Sequence, residues 1–77
     1  MLKNNALADL GARIKYAREA QRLSKRTLAA AIECEVQLIY RWESGEVIPS
    51  AKYVCLLCGA LGVSADWLLS VKQKEPA

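Results

Sequence analysis

The chain has 77 residues, 53% of them apolar and 25% charged, an ordinary globular composition that excludes a collagen-like or disordered polymer and fits one small domain. It contains no histidine, which removes the usual general base and the commonest metal ligand, and a domain of this size buries only about 60% of its unfolded surface, which argues against a large catalytic fold. The net charge of +3 is unevenly spread: residues 1–26 carry +5, residues 27–50 carry −3 and residues 51–77 carry +1.

A basic first third suits a polyanion, while the acidic middle argues against a uniformly basic face. A solvated helix face has the same composition, so charge alone leaves the partner open. Met1-Leu2-Lys3-Asn4-Asn5 starts no signal peptide. The apolar run from Tyr53 to Cys58 is far short of the roughly 18 residues that a membrane span needs. A cytoplasmic protein is expected, with Cys34, Cys55 and Cys58 as reduced thiols rather than a disulfide framework.

Leu7, Leu10, Ile14 and Ala17 recur at spacings of three and four, which predicts a first helix from about Leu7 to Ala20 with Arg13, Lys15 and Arg22 outside its apolar stripe. Ser24 is a good N-cap for a second helix from Lys25 to about Ile32, with Leu28 and Ile32 inward. After Glu33-Cys34-Glu35 a third helix is predicted over 36–43, carrying Ile39 and Trp42 inward, with Gly45 as its C-terminal stop. The segment before Pro49 is extended in character. Ser50 then caps a fourth helix over 51–60, whose Val54, Leu57, Cys58 and Leu61 share a face up to the break at Gly62. Ser64 caps a fifth over 65–69, with Asp66 favourably placed in its first turn. No strand signal is present, so the expected fold is all-α. The expected layout is an arm over 1–6, one domain over 7–70 and a tail over 71–77.

The second and third helices, joined by a tight turn, have the form of a helix-turn-helix, in which the second member lies in the major groove of DNA. Two short helices and a turn occur in many bundles, so the polar residues carry the weight. Gln37 and Arg41 stand four apart and project from one face. Glutamine can pair with adenine and arginine with guanine, each for about 1–3 kcal/mol of discrimination, and Val36 can meet a thymine methyl. Tyr40 and Tyr16 carry phenol hydroxyls that can reach a phosphate. Trp42 and Trp67, on apolar faces of their helices, are expected in the core rather than as a stacking platform for single strands.

Cys55 and Cys58 have C-x-x-C spacing, but they lie inside a predicted helix, and with Cys34 they fall short of the four ligands of a structural zinc site. No metal and no cofactor are expected. Cys34 and Cys58 read as buried thiols, and Cys55 and Leu56 fall off the core stripe. No nucleophile-base pair and no phosphate-cradling glycine loop is present, so the expected role is not enzymatic.

Leu10-Gly11-Ala12-Arg13-Ile14, Arg18-Glu19-Ala20, Leu23-Ser24, Leu28-Ala29, Ile39-Tyr40-Arg41-Trp42-Glu43-Ser44-Gly45, Pro49-Ser50 and Ala60-Leu61-Gly62-Val63-Ser64-Ala65-Asp66-Trp67-Leu68-Leu69 together resemble the phage-repressor (Cro/CI, or XRE) helix-turn-helix family over residues 7–70. The resemblance implies a five-helix lambda-repressor-like fold and a transcriptional regulator, usually a repressor, that binds a near-palindromic operator in double-stranded DNA as a homodimer. It places Val36, Gln37 and Arg41 at base-reading positions, and Lys25 and Ser44 at phosphate-contacting ones. Arg26 and Tyr40 join the phosphate set through charge and hydroxyl. Arg18 and Glu43 match the arginine and glutamate that pair between the first and third helices; the alternative is two surface charges that never meet.

Three positions depart from the family pattern. Glu33 stands where the family usually has Gly, and a left-handed backbone there would cost about 1 kcal/mol. Glu35 replaces a Ser or Thr cap, and Glu46 replaces a residue that is often basic. Lys25, Arg26, Arg13 and Lys3 offset their charge. The same acidic edge supports the alternative of a protein-interaction module, such as an antitoxin or adaptor.

Overall fold

The computed structural model describes residues 9–70, which form five helices in chain order: α1 (Leu10–Ala20), α2 (Lys25–Ala31), α3 (Val36–Ser44), α4 (Ala51–Leu61) and α5 (Ala65–Leu69). Among the described residues there is no strand, and no helix is long and apolar enough to cross a membrane. Leu7, the arm and the tail lie outside the described residues.

Serine side chains start three of the helices by accepting a backbone N–H left free in the first turn. Ser24 Oγ accepts from Thr27 at 2.9 Å, Ser50 Oγ from Tyr53 at 3.4 Å and Ser64 Oγ from Trp67 at 3.0 Å. Glu35 precedes α3 in an extended conformation and makes no such side-chain bond. Gly45 and Gly62 end α3 and α4 at φ of 86° and 71°.

The first two turns use no glycine. Arg22 and Glu33 both sit at φ 59°. After α1, Arg22 N–H donates to Glu19 O at 2.9 Å and Leu23 N–H to Arg18 O at 3.0 Å; after α2, Glu33 N–H donates to Ala30 O at 3.2 Å and Cys34 N–H to Ala29 O at 2.9 Å. This paired bonding closes a helix through one left-handed residue. The turn into α3 therefore keeps the left-handed conformation despite Glu33.

Leu10, Ile14 and Ala17 of α1 meet Leu28, Ala29, Ile32, Ile39, Trp42, Val54, Leu57, Leu61 and Leu68 in one core. Most of the inward positions follow the sequence pattern, with corrections at Trp67, Cys34 and Cys58. Trp67 is 39% exposed, because the five-residue α5 turns Leu68 inward and leaves Trp67 beside Tyr16 at a ring separation of 6.3 Å. Cys34 and Cys58 are both half-buried at the edge of the core rather than inside it. The backbones of α1 and α3 press together at Gly11, where a Cβ would collide with the carbonyl oxygens of Trp42 and Glu43.

Candidate nucleic-acid interface

Helix α3 is divided cleanly. Ile39 and Trp42 are buried, and the Trp42 ring packs on Tyr53 of α4 at 5.2 Å. Gln37, Tyr40, Arg41 and Ser44 are exposed on the opposite side, with Val36 half-buried at the N-terminal end. A helical period brings Gln37 and Arg41 onto one exposed face, one turn apart. Arg41 also lies in the last turn, where a cation complements the helix dipole.

The helix is fixed from behind by Arg18 and Glu43. Arg18 Nε donates to Glu43 Oε2 at 2.7 Å and Nη2 to Oε1 at 3.1 Å, while Nη1 donates to Leu23 O at 2.8 Å. One guanidinium thus ties α1 to α3 and to the α1–α2 turn. The two side chains are 7% and 5% exposed. The hydrogen bonds to Glu43 raise the Arg18 pKa above its usual value against the opposing effect of burial. A paired, desolvated bidentate contact of this kind is strongly directional.

Lys25, at the start of α2, has its Nζ 4.8 Å from the Tyr40 ring centroid and 3.9 Å from Glu43 Oε1. Lys25 and Tyr40, together with Arg18, Ser24, Arg26 and Val36, line a cleft of about 430 Å³ between α2 and α3. Arg26 is exposed. Ser44 is exposed too, but its hydroxyl donates to Arg41 O at 3.0 Å and accepts from the Glu46 N–H at 3.3 Å. Its proton is engaged in closing α3. Arg13, counted in the sequence as general positive charge, donates its Nε to Leu68 O at 2.7 Å and so anchors α5. Lys3 lies outside the described residues.

Glu33, Glu35 and Glu46 are exposed around the two ends of α3. Cys34 is half-buried; burial first, and then Glu35, raises its pKa, and its thiol donates to Glu35 O at 3.5 Å. Burial also raises the pKa of Cys58, assisted by nearby Cys55. Among the described residues no group of three or more metal-ligating side chains comes together.

Sequence reasoning missed the contact between Lys25 and Tyr40, which depends on how α2 and α3 pack, and the engagement of the Ser44 hydroxyl, which is local, with partners three residues before it and two after. The role of Gly11 likewise shows only in the packing of α1 on α3. A glycine inside a helix, where it costs about 0.5–1 kcal/mol relative to alanine, was the available signal of a close approach.

A helix-turn-helix family model matches residues 14–68. A solved structure, the apo form of the competence regulator ComR from Streptococcus vestibularis, is 31% identical, with a TM-score of 0.77 over 94% of this chain. The chain spans 25% of the length of that regulator. No match to a curated protein was found. The family match takes in α2, the turn and α3 entire, with most of α1, all of α4 and α5 as far as Leu68, and the chain belongs to the helix-turn-helix family of the phage-repressor, Cro/CI-like type.

Proposed function

We propose that this chain is a DNA-binding transcriptional regulator, acting as a repressor, that inserts α3 into the major groove of a near-palindromic operator as a homodimer. The observation that carries the reading is the polar face of α3, with Gln37 and Arg41 exposed on a helix held from behind by the Arg18–Glu43 pair. A rigid helix can commit its outward side chains to base edges without first being ordered. In this reading Arg41 takes a guanine, Gln37 an adenine and Val36 a thymine methyl. Lys25, Arg26 and Ser44 position the helix on the backbone, for which the Ser44 hydroxyl must turn from the Arg41 carbonyl. Two copies would place their recognition helices about 34 Å apart, one helical turn of DNA. The matching domain of a competence regulator supports the regulatory reading.

The test is selection of the purified protein against a random duplex library at two salt concentrations. Recovery of a two-fold symmetric sequence, with affinity falling as salt rises, is the expected result. A second reading, a protein-interaction module, draws on the exposure of Glu33, Glu35 and Glu46. Failure to enrich any duplex, together with loss of a protein partner on reversing those three charges, would select it instead.

A further inference from the structure

Lys25 opens α2 and Tyr40 lies in the middle of α3. At 4.8 Å from the ring centroid, Lys25 Nζ is inside the roughly 6 Å at which an aromatic face attracts a cation. The second attraction comes from Glu43 Oε1 at 3.9 Å. Both Glu43 oxygens already accept hydrogen bonds from Arg18, and 3.9 Å is beyond hydrogen-bond reach. Glu43 therefore draws the ammonium group without taking one of its protons. A ring face holds a cation through its quadrupole rather than through an acceptor lone pair. The position of Nζ is restrained from two sides while none of its N–H donors is spent in a hydrogen bond to a protein acceptor.

Those donors border the cleft between α2 and α3, where Arg18 is matched by Glu43 and Lys25 and Arg26 set the charge. A lysine free in water must lose rotamer freedom when it grips a phosphate; one already held against a ring has lost part of it beforehand. The sequence suggested that the Tyr40 hydroxyl itself touches phosphate. The geometry points to a different use: we propose that Tyr40 is a positioning residue whose ring, with Glu43, holds Lys25 Nζ at the cleft to receive one phosphate oxygen of the DNA backbone. This rests on the reading of the chain as a DNA binder.

The experiment titrates the full chain and its Lys25→Ala, Tyr40→Phe, Tyr40→Leu and Lys25→Ala/Tyr40→Leu variants against a fluorescein-labelled, mixed-sequence duplex of about 20 base pairs. Anisotropy is read over a range of salt concentrations. Tyr40→Phe is expected to retain affinity and salt slope. Tyr40→Leu is expected to lose about two- to fivefold, the size of an exposed cation–π contact, and that loss should vanish on the Lys25→Ala background. Equal damage from Tyr40→Phe would make the hydroxyl the contact and overturn the proposal, as would an undiminished Tyr40→Leu loss in the absence of Lys25.

The contact itself is read without DNA. The ε-methylene protons of Lys25 should show an upfield ring-current shift in the wild type and Tyr40→Phe, and lose it in Tyr40→Leu. Absence of that shift in the wild type rejects the proposal even if the duplex binds. An intact shift without duplex binding at any salt concentration rejects the DNA reading and the phosphate role with it.

Discussion

Arg18 holds both carboxylate oxygens of Glu43, at 2.7 and 3.1 Å, across the junction of α1 and α3, where almost no water reaches either side chain. Removing one partner strands the other charge inside the domain. Arg18→Ala and Glu43→Ala are each expected to destabilise the fold by about 3–5 kcal/mol, a large share of the total for a domain of this size. Replacing both, as Arg18→Met/Glu43→Leu, should recover most of that loss. Urea denaturation measures all three variants, and single variants within about 1 kcal/mol of wild type would show that the pair is not desolvated in solution.

Glu33 occupies a left-handed position that glycine adopts at little cost. Glu33→Gly is expected to stabilise the domain by about 1 kcal/mol, raising its melting temperature by about 4–8 °C. Glu33→Gln removes the charge and keeps the backbone cost, so it should change little. A gain of equal size in both variants would assign the effect to charge rather than to backbone conformation.

Gly11→Ala tests the close approach of α1 to α3. Helix propensity alone favours alanine by about 1 kcal/mol. The added Cβ meets the backbone oxygens of Trp42 and Glu43, which cannot rotate away as a side chain can. The expected sign is therefore reversed, with a loss of about 1–3 kcal/mol from overpacking in thermal or urea melts. A more stable variant would mean that the two helices can separate at no cost.

Under the proposed DNA-binding reading, base reading and backbone positioning should separate in a pair of variants. Arg41→Ala is expected to relax preference at one base pair, by about 1–3 kcal/mol against the wrong bases. Lys25→Ala should weaken all duplexes alike and flatten the salt dependence. Quantitative binding to the selected sequence and its single-base variants distinguishes them; identical profiles for the two variants would sink the assignment.

The thiols of Cys34 and Cys58 bear on alkaline stability. Burial raises both pKa values in the folded chain, so just above the unfolded value, about pH 9, the unfolded chain has given up protons that the folded one retains. Their contribution is complete below that pH and is lost as pH rises through the folded values. Denaturant midpoints should fall across this range, and Cys34→Ala/Cys58→Ala should flatten the fall even if it lowers stability at neutral pH. At neutral pH a maleimide should modify exposed Cys55 before the two half-buried thiols.

Much of the architecture is local and was legible in the residues. Ser24, Ser50 and Ser64 mark helix starts because a hydroxyl accepts a nearby N–H, and Gly45 and Gly62 mark helix ends because they take a left-handed φ. The periodic placement of Ile14, Leu28, Ile39 and Leu57 identifies inward faces without knowledge of what they meet. The same periodicity puts Gln37 and Arg41 on the outer side of α3. In α5 it fails, since Trp67-Leu68-Leu69 is apolar throughout and one turn offers no repeat from which to choose a phase.

What only the tertiary structure decided is which distant groups share a space and which hydrogen-bonding capacity is already used. Arg13 of α1 bonds the Leu68 carbonyl of α5, and Glu43 satisfies Arg18 while lying 3.9 Å from the Lys25 Nζ that sits over the Tyr40 ring. Residue type states how many protons a side chain can donate or accept, and spacing states its helix face. Whether those protons remain for a ligand depends on groups brought near by helix packing, and that distance is a property of the folded chain alone.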